Sequence, residues 1–183
     1  MIPLFGDYLL PSAGPPVVKI MERTAGAANV LLARVEPQPG EMLWMCSQSG
    51  INPAVIELAL DAKKRGLRTV AFTSVSHSQA VQSRHSSGKR LFEICDDVVD
   101  LGGFRGDASI EVAPVQSPGV KGGPLSTLSV ILLAQSIILA VTAQLENRGH
   151  RCIYTSVNTP EGEERNRALE TQAMKRDFLL RGY

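Results

Sequence analysis

The sequence predicts an α/β fold built on a mainly parallel sheet, and three observations carry that expectation. Residues 41–73 hold an apolar run, a hydroxyl-rich loop, a helical stretch and a second apolar run. That takes about 30 residues, the length of a right-handed βαβ crossover. The two apolar runs are continuous rather than alternating, as in strands buried on both faces. Hydrophobic residues make up 44% of the chain and aromatics only 5%, so Val, Leu, Ile and Ala carry the core.

The elements follow in order. Residues 1–16 hold four of the eleven prolines and two glycines and read as an irregular arm. The remainder, 17–183, reads as one domain, since no linker is long enough to divide it. Residues 17–35 place Ile20, Ala27, Val30, Leu31 and Val35 at helical spacing, and Pro37-Gln38-Pro39-Gly40 ends the helix. Residues 41–46 (EMLWMC) form a buried strand. Asn52 and Pro53 suit the N-cap and first position of a helix over 53–65, which turns Val55, Ile56, Leu58, Ala59 and Leu60 inward. Lys63, Lys64, Arg65 and Gly66 form its cationic last turn and stop. Residues 67–73 (LRTVAFT) are the second strand. A polar Ser/His-rich loop over 73–87 follows, then a short helix over 88–95, a third strand over 98–101 and a loop over 102–107. An edge strand over 110–115 and a Gly/Pro-rich loop over 117–124 precede a long apolar helix from Ser126. The pattern ends with a short strand over 153–157 and a charged surface helix over 161–180.

Composition removes several classes of function. The signs of charge nearly cancel, to +1 on 183 residues, and no basic run supports a nucleic-acid partner. Cys46, Cys95 and Cys152 are odd in number and lack a CxxC, which reads as reduced thiols in the cytoplasm. Cys46 adjoins the main motif, so a reactive thiol is the alternative there. His77, His85 and His150 have no ligand spacing with cysteines or carboxylates, so no metal and no other cofactor is expected. The first residues lack a basic region and a cleavage site and do not read as a signal peptide. Residues 122–145 carry no charge. By length the stretch suits either a membrane span or a buried core or interface helix. Its scattered Ser129, Gln135, Ser136, Thr142 and Gln144 favour the second.

Three segments carry chemistry. Cys46-Ser47-Gln48-Ser49-Gly50-Ile51-Asn52-Pro53 lies between the end of a strand and the start of a helix, where open α/β sheets bind ligands. A helix N-terminus offers free N–H groups and partial positive charge. Ser47 and Ser49 add hydroxyls, and Gly50 lets the backbone approach an anion such as phosphate. A plain βα turn with a capped helix explains the same residues. Thr73 and Ser74, followed by Ser76 and Ser78, repeat the arrangement at the end of the next strand, facing the same crevice; a solvated Ser-rich loop is the alternative. Ser126 or Thr127 would cap the long helix and point it at the same ligand, although capping alone accounts for both.

The first two segments resemble the SIS (sugar isomerase) domain family, which includes phosphoheptose isomerase, arabinose-5-phosphate isomerase and muramic-acid-6-phosphate etherase. CSQSGINPAVIELALDAKKRG is similar to its phosphate loop and following helix. TSVSHSQAVQSRHSSGKRLFE is similar to a bacterial SIS group that reads TSxxHSxxVxSRHxSGKxLxE, and GDASIEV and Asn166–Leu169 (NRAL) extend the similarity over residues 21–169. The resemblance implies a three-layer αβα sandwich with a parallel five-stranded sheet, commonly a homodimer. It implies a sugar phosphate held by Ser47, Gln48, Ser49 and Asn52, with Ser74 and Ser78 from the second strand. It turns the long apolar helix into a core and interface helix rather than a membrane span. Family members begin with helices and a strand ending in a Gly/Ser-rich loop; this chain lacks that segment, so the domain reads as cut short at its start. Aldose/ketose isomerisation also needs a positioned acid/base. The long helix offers only Gln135, so His77, between Ser76 and Ser78, is the first candidate, ahead of His85, Glu93 and Asp107. Arg84 and Lys89 either meet ligand charge or lie solvated. The expectation is phosphosugar binding, with isomerase activity in full-length relatives; the alternative is a non-catalytic sensor or regulatory module.

Overall fold

A computed structural model describes residues 14–33, 35–111 and 119–174. The chain divides into two compact units, residues 4–133 and residues 134–183 with 1–3.

The first unit is built on three parallel strands, β1 (Met42–Cys46), β2 (Arg68–Thr73) and β3 (Asp97–Asp100), in the order β1-β2-β3. The register runs from Met42↔Arg68 to Cys46↔Phe72, and from Val70↔Asp97 to Thr73↔Asp100. The predicted βαβ unit is present, with α3 (Pro53–Lys64) as its crossover. Before it come α1 (Pro15–Met21) and α2 (Asn29–Ala33). Ile56, Ala59 and Ala62 of α3 join Leu43, Met45, Ala71, Leu32 and Leu91 in one buried cluster, with Val55, Leu58 and Leu60 packed against it. Small residues at two of the three α3 positions let the helix lie close to the sheet. On the opposite pleat Trp44 meets Phe72 at a ring-centroid distance of 5.1 Å. At the far end of the sheet Asp96 accepts from both Thr69 N (2.8 Å) and Thr69 Oγ1 (2.8 Å) and from Lys63 Nζ. The Lys63 ammonium first, and then the Thr69 donors, hold its carboxyl well below the usual range.

Several sequence expectations are corrected. The helix expected over 17–35 is broken into α1 and α2: Gly26 takes φ +83° and its N–H donates to Glu57 Oε2, while Thr24 Oγ1 donates to Ile20 O and satisfies an end carbonyl. The polar loop over 73–87 contains a helix, α4 (Val75–Gln79), capped by Ser74 Oγ, which accepts from His77 N. The helix expected over 88–95 shrinks to one 3-10 turn, Leu91–Glu93: Gly88 takes the left-handed φ of +68° and Arg90 is extended, so helical backbone begins only at Leu91. The strand expected over 110–115 does not join the parallel sheet. Instead β4 (Ala108–Glu111) pairs antiparallel with β5 (Lys121–Pro124), inside the segment expected to be a loop. Ile110 lies over the bare Cα of Gly123, where a Cβ would stand 3.0 Å from Ile110 Cδ1. Residues 112–115 of that expected strand lie outside the described residues, as do arm residues 1–13; Pro15 and Pro16 of the arm open α1.

The long apolar helix, α5 (Leu125–Asn147), starts in the first unit and ends in the second. It is not a core helix. None of its residues is buried, and Leu128 and Leu132 are 68% and 67% exposed. Apolar residues on every face predict that a helix prefers to be covered, yet every residue of this one is at least partly exposed. Within the second unit, α6 (Pro160–Met174) matches the charged surface helix as far as it is described. The strand expected over 153–157 does not form. Its backbone is satisfied by side chains: Glu146 Oε1 accepts from Cys152 N and Ile153 N, and the buried Asn166 pairs both ways with Thr155. The NRAL motif thus includes a structural asparagine.

Candidate functional site

The two hydroxyl-rich loops meet at the carboxyl edge of β1 and β2, within the first unit. Ser47 N continues the ladder by donating to Phe72 O (3.0 Å). Gln48 O then accepts from Ser74 N (3.1 Å) and Thr73 Oγ1 (3.2 Å), tying the first loop to the second. Ser47 Oγ accepts from Gly50 N (3.2 Å) and bends the chain back at Gly50, whose φ is +60°. Gly50 O accepts from Leu91 N (2.8 Å). A Cβ at Gly50 would stand 3.0 Å from both Leu91 Cβ and Thr73 Oγ1 and 3.5 Å from Ser78 Oγ, so only glycine fits.

The loop presents donors. Among the described residues no hydrogen bond leaves the N–H groups of Gln48, Ser49, Ile51 or Asn52, and the half-buried Ser49 hydroxyl has no partner. Successive free amides around a turn form a concave anion site. The α3 N-terminus contributes less than the sequence implied. Ala54 N donates to Glu22 O (3.2 Å), and Asn52 stands at the N-cap position without a capping bond. Its Oδ1 instead accepts from Arg84 Nη1 (2.8 Å).

The second-strand residues are placed behind the loop. Thr73, Ser74 and Ser78 are each 0% exposed. The Thr73 hydroxyl is bonded to Gln48 O and the Ser74 hydroxyl caps α4, whereas Ser78 Oγ has no partner. The side-chain oxygen of Gln48 is also buried and unpaired. His77 is half-buried, and its Nδ1 accepts from Gly106 N (3.0 Å), which fixes the Nδ1 lone pair on the backbone of the 102–107 loop. Ser76 Oγ anchors the same loop through Gly103 O (3.0 Å).

Ser126 and Thr127 do not cap α5. Asp107 does, accepting from Ser126 N and Ser126 Oγ, each at 2.7 Å. Among the described residues neither Ser126 nor Thr127 bonds to the first loop, while Leu125 of the helix start lies with Gln48 beside Gly103. The other candidate acids and bases are engaged as well: Glu93 Oε2 accepts from Arg90 N, and His85 Nδ1 pairs with Ser87 Oγ. Burial of the thiol pushes the Cys46 pKa up, against a reactive thiolate, although the residue as a whole reaches solvent.

Arg84 is brought to the loop from a segment that also reads as solvated. Its backbone N donates to Ile51 O (2.9 Å) and its guanidinium to Asn52. A contact between positions 32 apart leaves no periodic trace in the sequence.

Comparisons with known proteins place the chain in a family. The SIS domain model matches residues 3–74, which includes both strand ends and the loop from Ser47 to Asn52. A UPF0309 protein of Shouchella clausii is 37% identical over 169 residues, covering 91% of this chain and 68% of the relative. UPF0309 proteins of Listeria monocytogenes and Oceanobacillus iheyensis are 36% and 34% identical, covering 87% and 91% of this chain and 67% and 68% of themselves.

Proposed function

Because the chain belongs to the SIS-domain family, within its UPF0309 group, we propose that the loop from Ser47 to Asn52 binds the phosphate of a phosphorylated sugar. One observation carries the proposal. Among the described residues the N–H groups of Gln48, Ser49, Ile51 and Asn52 and the Ser49 hydroxyl are without partners, and all belong to one short turn bent at Gly50. Ligand that binds only the native state raises the unfolding midpoint by mass action. The expected result is a rise with one or more members of a sugar-phosphate panel. Ser49→Ala should leave the ligand-free midpoint within about 1 °C, as an unpaired half-buried hydroxyl contributes little, and should cut affinity by about tenfold. No rise with any phosphate, in a chain that melts cooperatively, would reject the reading.

Binding without turnover is the favoured form of this function. Moving a proton between C1 and C2 of a sugar requires a base near the ligand. The best-placed imidazole, His77, has its Nδ1 committed to Gly106, and Glu93 and Asp107 serve as backbone partners. A sensor or regulatory module therefore fits this chain better than an isomerase, and isomerase activity, if sought, is best assayed in longer relatives.

A homodimer belongs to the same proposal, with α5 as the contact. Leu128, Ile131 and Leu132 are exposed large apolar residues on an uncharged stretch, and a second copy offers a matching apolar face. Sedimentation velocity should show a dimer that Leu132→Glu converts to monomer; a wild-type monomer at micromolar concentration would remove this part.

A further inference from the structure

We infer that Arg84 makes this site selective for a dianionic phosphate monoester over a monoanionic ester. The inference rests on the phosphate reading above and names the charge state of its ligand. Three observations carry it. The guanidinium is fixed to the loop, with Nη1 donating to Asn52 Oδ1 (2.8 Å) while the residue's own N–H holds Ile51 O (2.9 Å). The segment behind it is held from within and from the far side. Ser83 Oγ donates to Lys89 O (2.7 Å) and accepts from His85 N (3.1 Å), and Leu91 N holds Gly50 O (2.8 Å). The strap is therefore clipped to two successive carbonyls of the loop and places its cation there.

The partner of that cation is a neutral amide. Among the described residues no carboxylate forms an ion pair with Arg84, whereas Lys63, Arg65, Arg68, Arg90 and Arg165 all have one. The positive charge beside Asn52 is thus left without an ion-pair partner, and Nη1 is the guanidinium atom bonded to the loop. Behind the loop a polar atom is also unspent: the fully buried Ser78 Oγ of α4 has no partner and would stand 3.5 Å from a Cβ at Gly50.

Backbone amides and hydroxyls bind anions of either charge by dipoles. A fixed guanidinium adds a term that grows with the charge of the ligand. Arg84 is accordingly a specificity residue: amides and Ser49 hold the ester oxygens, and Arg84 discriminates by charge.

The test compares glucose 6-phosphate, fructose 6-phosphate and inorganic phosphate with glucose 6-sulfate at about pH 7.5, where a phosphate monoester is mostly dianionic. Titration calorimetry is run on the wild-type chain, Arg84→Lys and Arg84→Gln. Wild type should prefer phosphate ester to sulfate ester by about tenfold or more. Arg84→Gln should lose most of that preference while its affinity for the sulfate ester changes little, and Arg84→Lys should keep most of it. Ligand-free unfolding midpoints of all three chains check that the fold is retained. An Arg84→Gln chain with the wild-type preference overturns the role of Arg84 and leaves the phosphate reading standing. A wild-type chain that binds none of the phosphates overturns both.

Discussion

Gly50→Ala should lower stability by about 2–4 kcal/mol, chiefly through local clash. A left-handed φ of +60° costs an alanine about 1 kcal/mol before any contact is made. The new methyl then meets Leu91 Cβ and Thr73 Oγ1, each at 3.0 Å. Neither can withdraw cheaply: Leu91 is fully buried with its N–H on Gly50 O, and Thr73 is a buried residue of the central strand bonded to Gln48 O. Overpacking of this kind costs about 1–3 kcal/mol more. Gly88→Ala separates the two terms. Gly88 has φ +68° but nothing within 4 Å of its absent Cβ, so it should lose only the conformational part. Urea denaturation of both variants checks the difference, read as a shift in midpoint at constant slope. Equal losses would show that the close approach at Gly50 does not exist in solution. Because Gly50 also shapes the amide loop, its variant should lose phosphate binding even below the melting point, which Gly88→Ala should not.

The contrast between those glycines shows what the sequence could and could not convey. Local signals were legible. Apolar runs, the Asn-Pro start, the Lys-Lys-Arg-Gly stop and hydroxyls at two strand ends all lie within a few residues of the feature that they specify. The parallel β1-α3-β2 unit and the meeting of Ser47–Asn52 with Thr73–Ser78 follow from them. What failed depended on distant partners. Asn52 looks like a side-chain cap, yet Arg84, 32 positions on, takes its oxygen. Ser126 looks like the cap of α5, yet Asp107 performs that task from 19 positions earlier. The helix over 17–35 is expected from its apolar spacing, and the left-handed Gly26, whose N–H is taken by the distant Glu57, helps to break it. The core placement expected of α5 fails for the opposite reason. Its composition reports a preference for apolar surroundings, and a composition cannot say whether the chain itself supplies them.

Ile56→Ala should be the most costly core substitution near the site, at about 2–5 kcal/mol, whereas Leu132→Ala should change monomer stability by less than about 0.5 kcal/mol. Both remove apolar side-chain volume from a helix, and they differ in what surrounds it. Ile56 is 0% exposed within the cluster of Leu43, Met45, Ala59 and Ala71, and its loss leaves a cavity between α3 and the sheet. Leu132 is 67% exposed and leaves none. Denaturation at several protein concentrations distinguishes the outcomes. A loss at Leu132 that grows with concentration belongs to association, consistent with a second copy on α5. A loss at Leu132 as large as that at Ile56 and independent of concentration would mean that α5 is packed within the monomer. Ile56 also stands one turn past Asn52, so its cavity loosens the helix end that carries Asn52 and, through it, Arg84. The variant should therefore lose phosphate affinity even at temperatures where it remains folded, which ties the core of the βαβ unit to the placement of the anion loop rather than to stability alone.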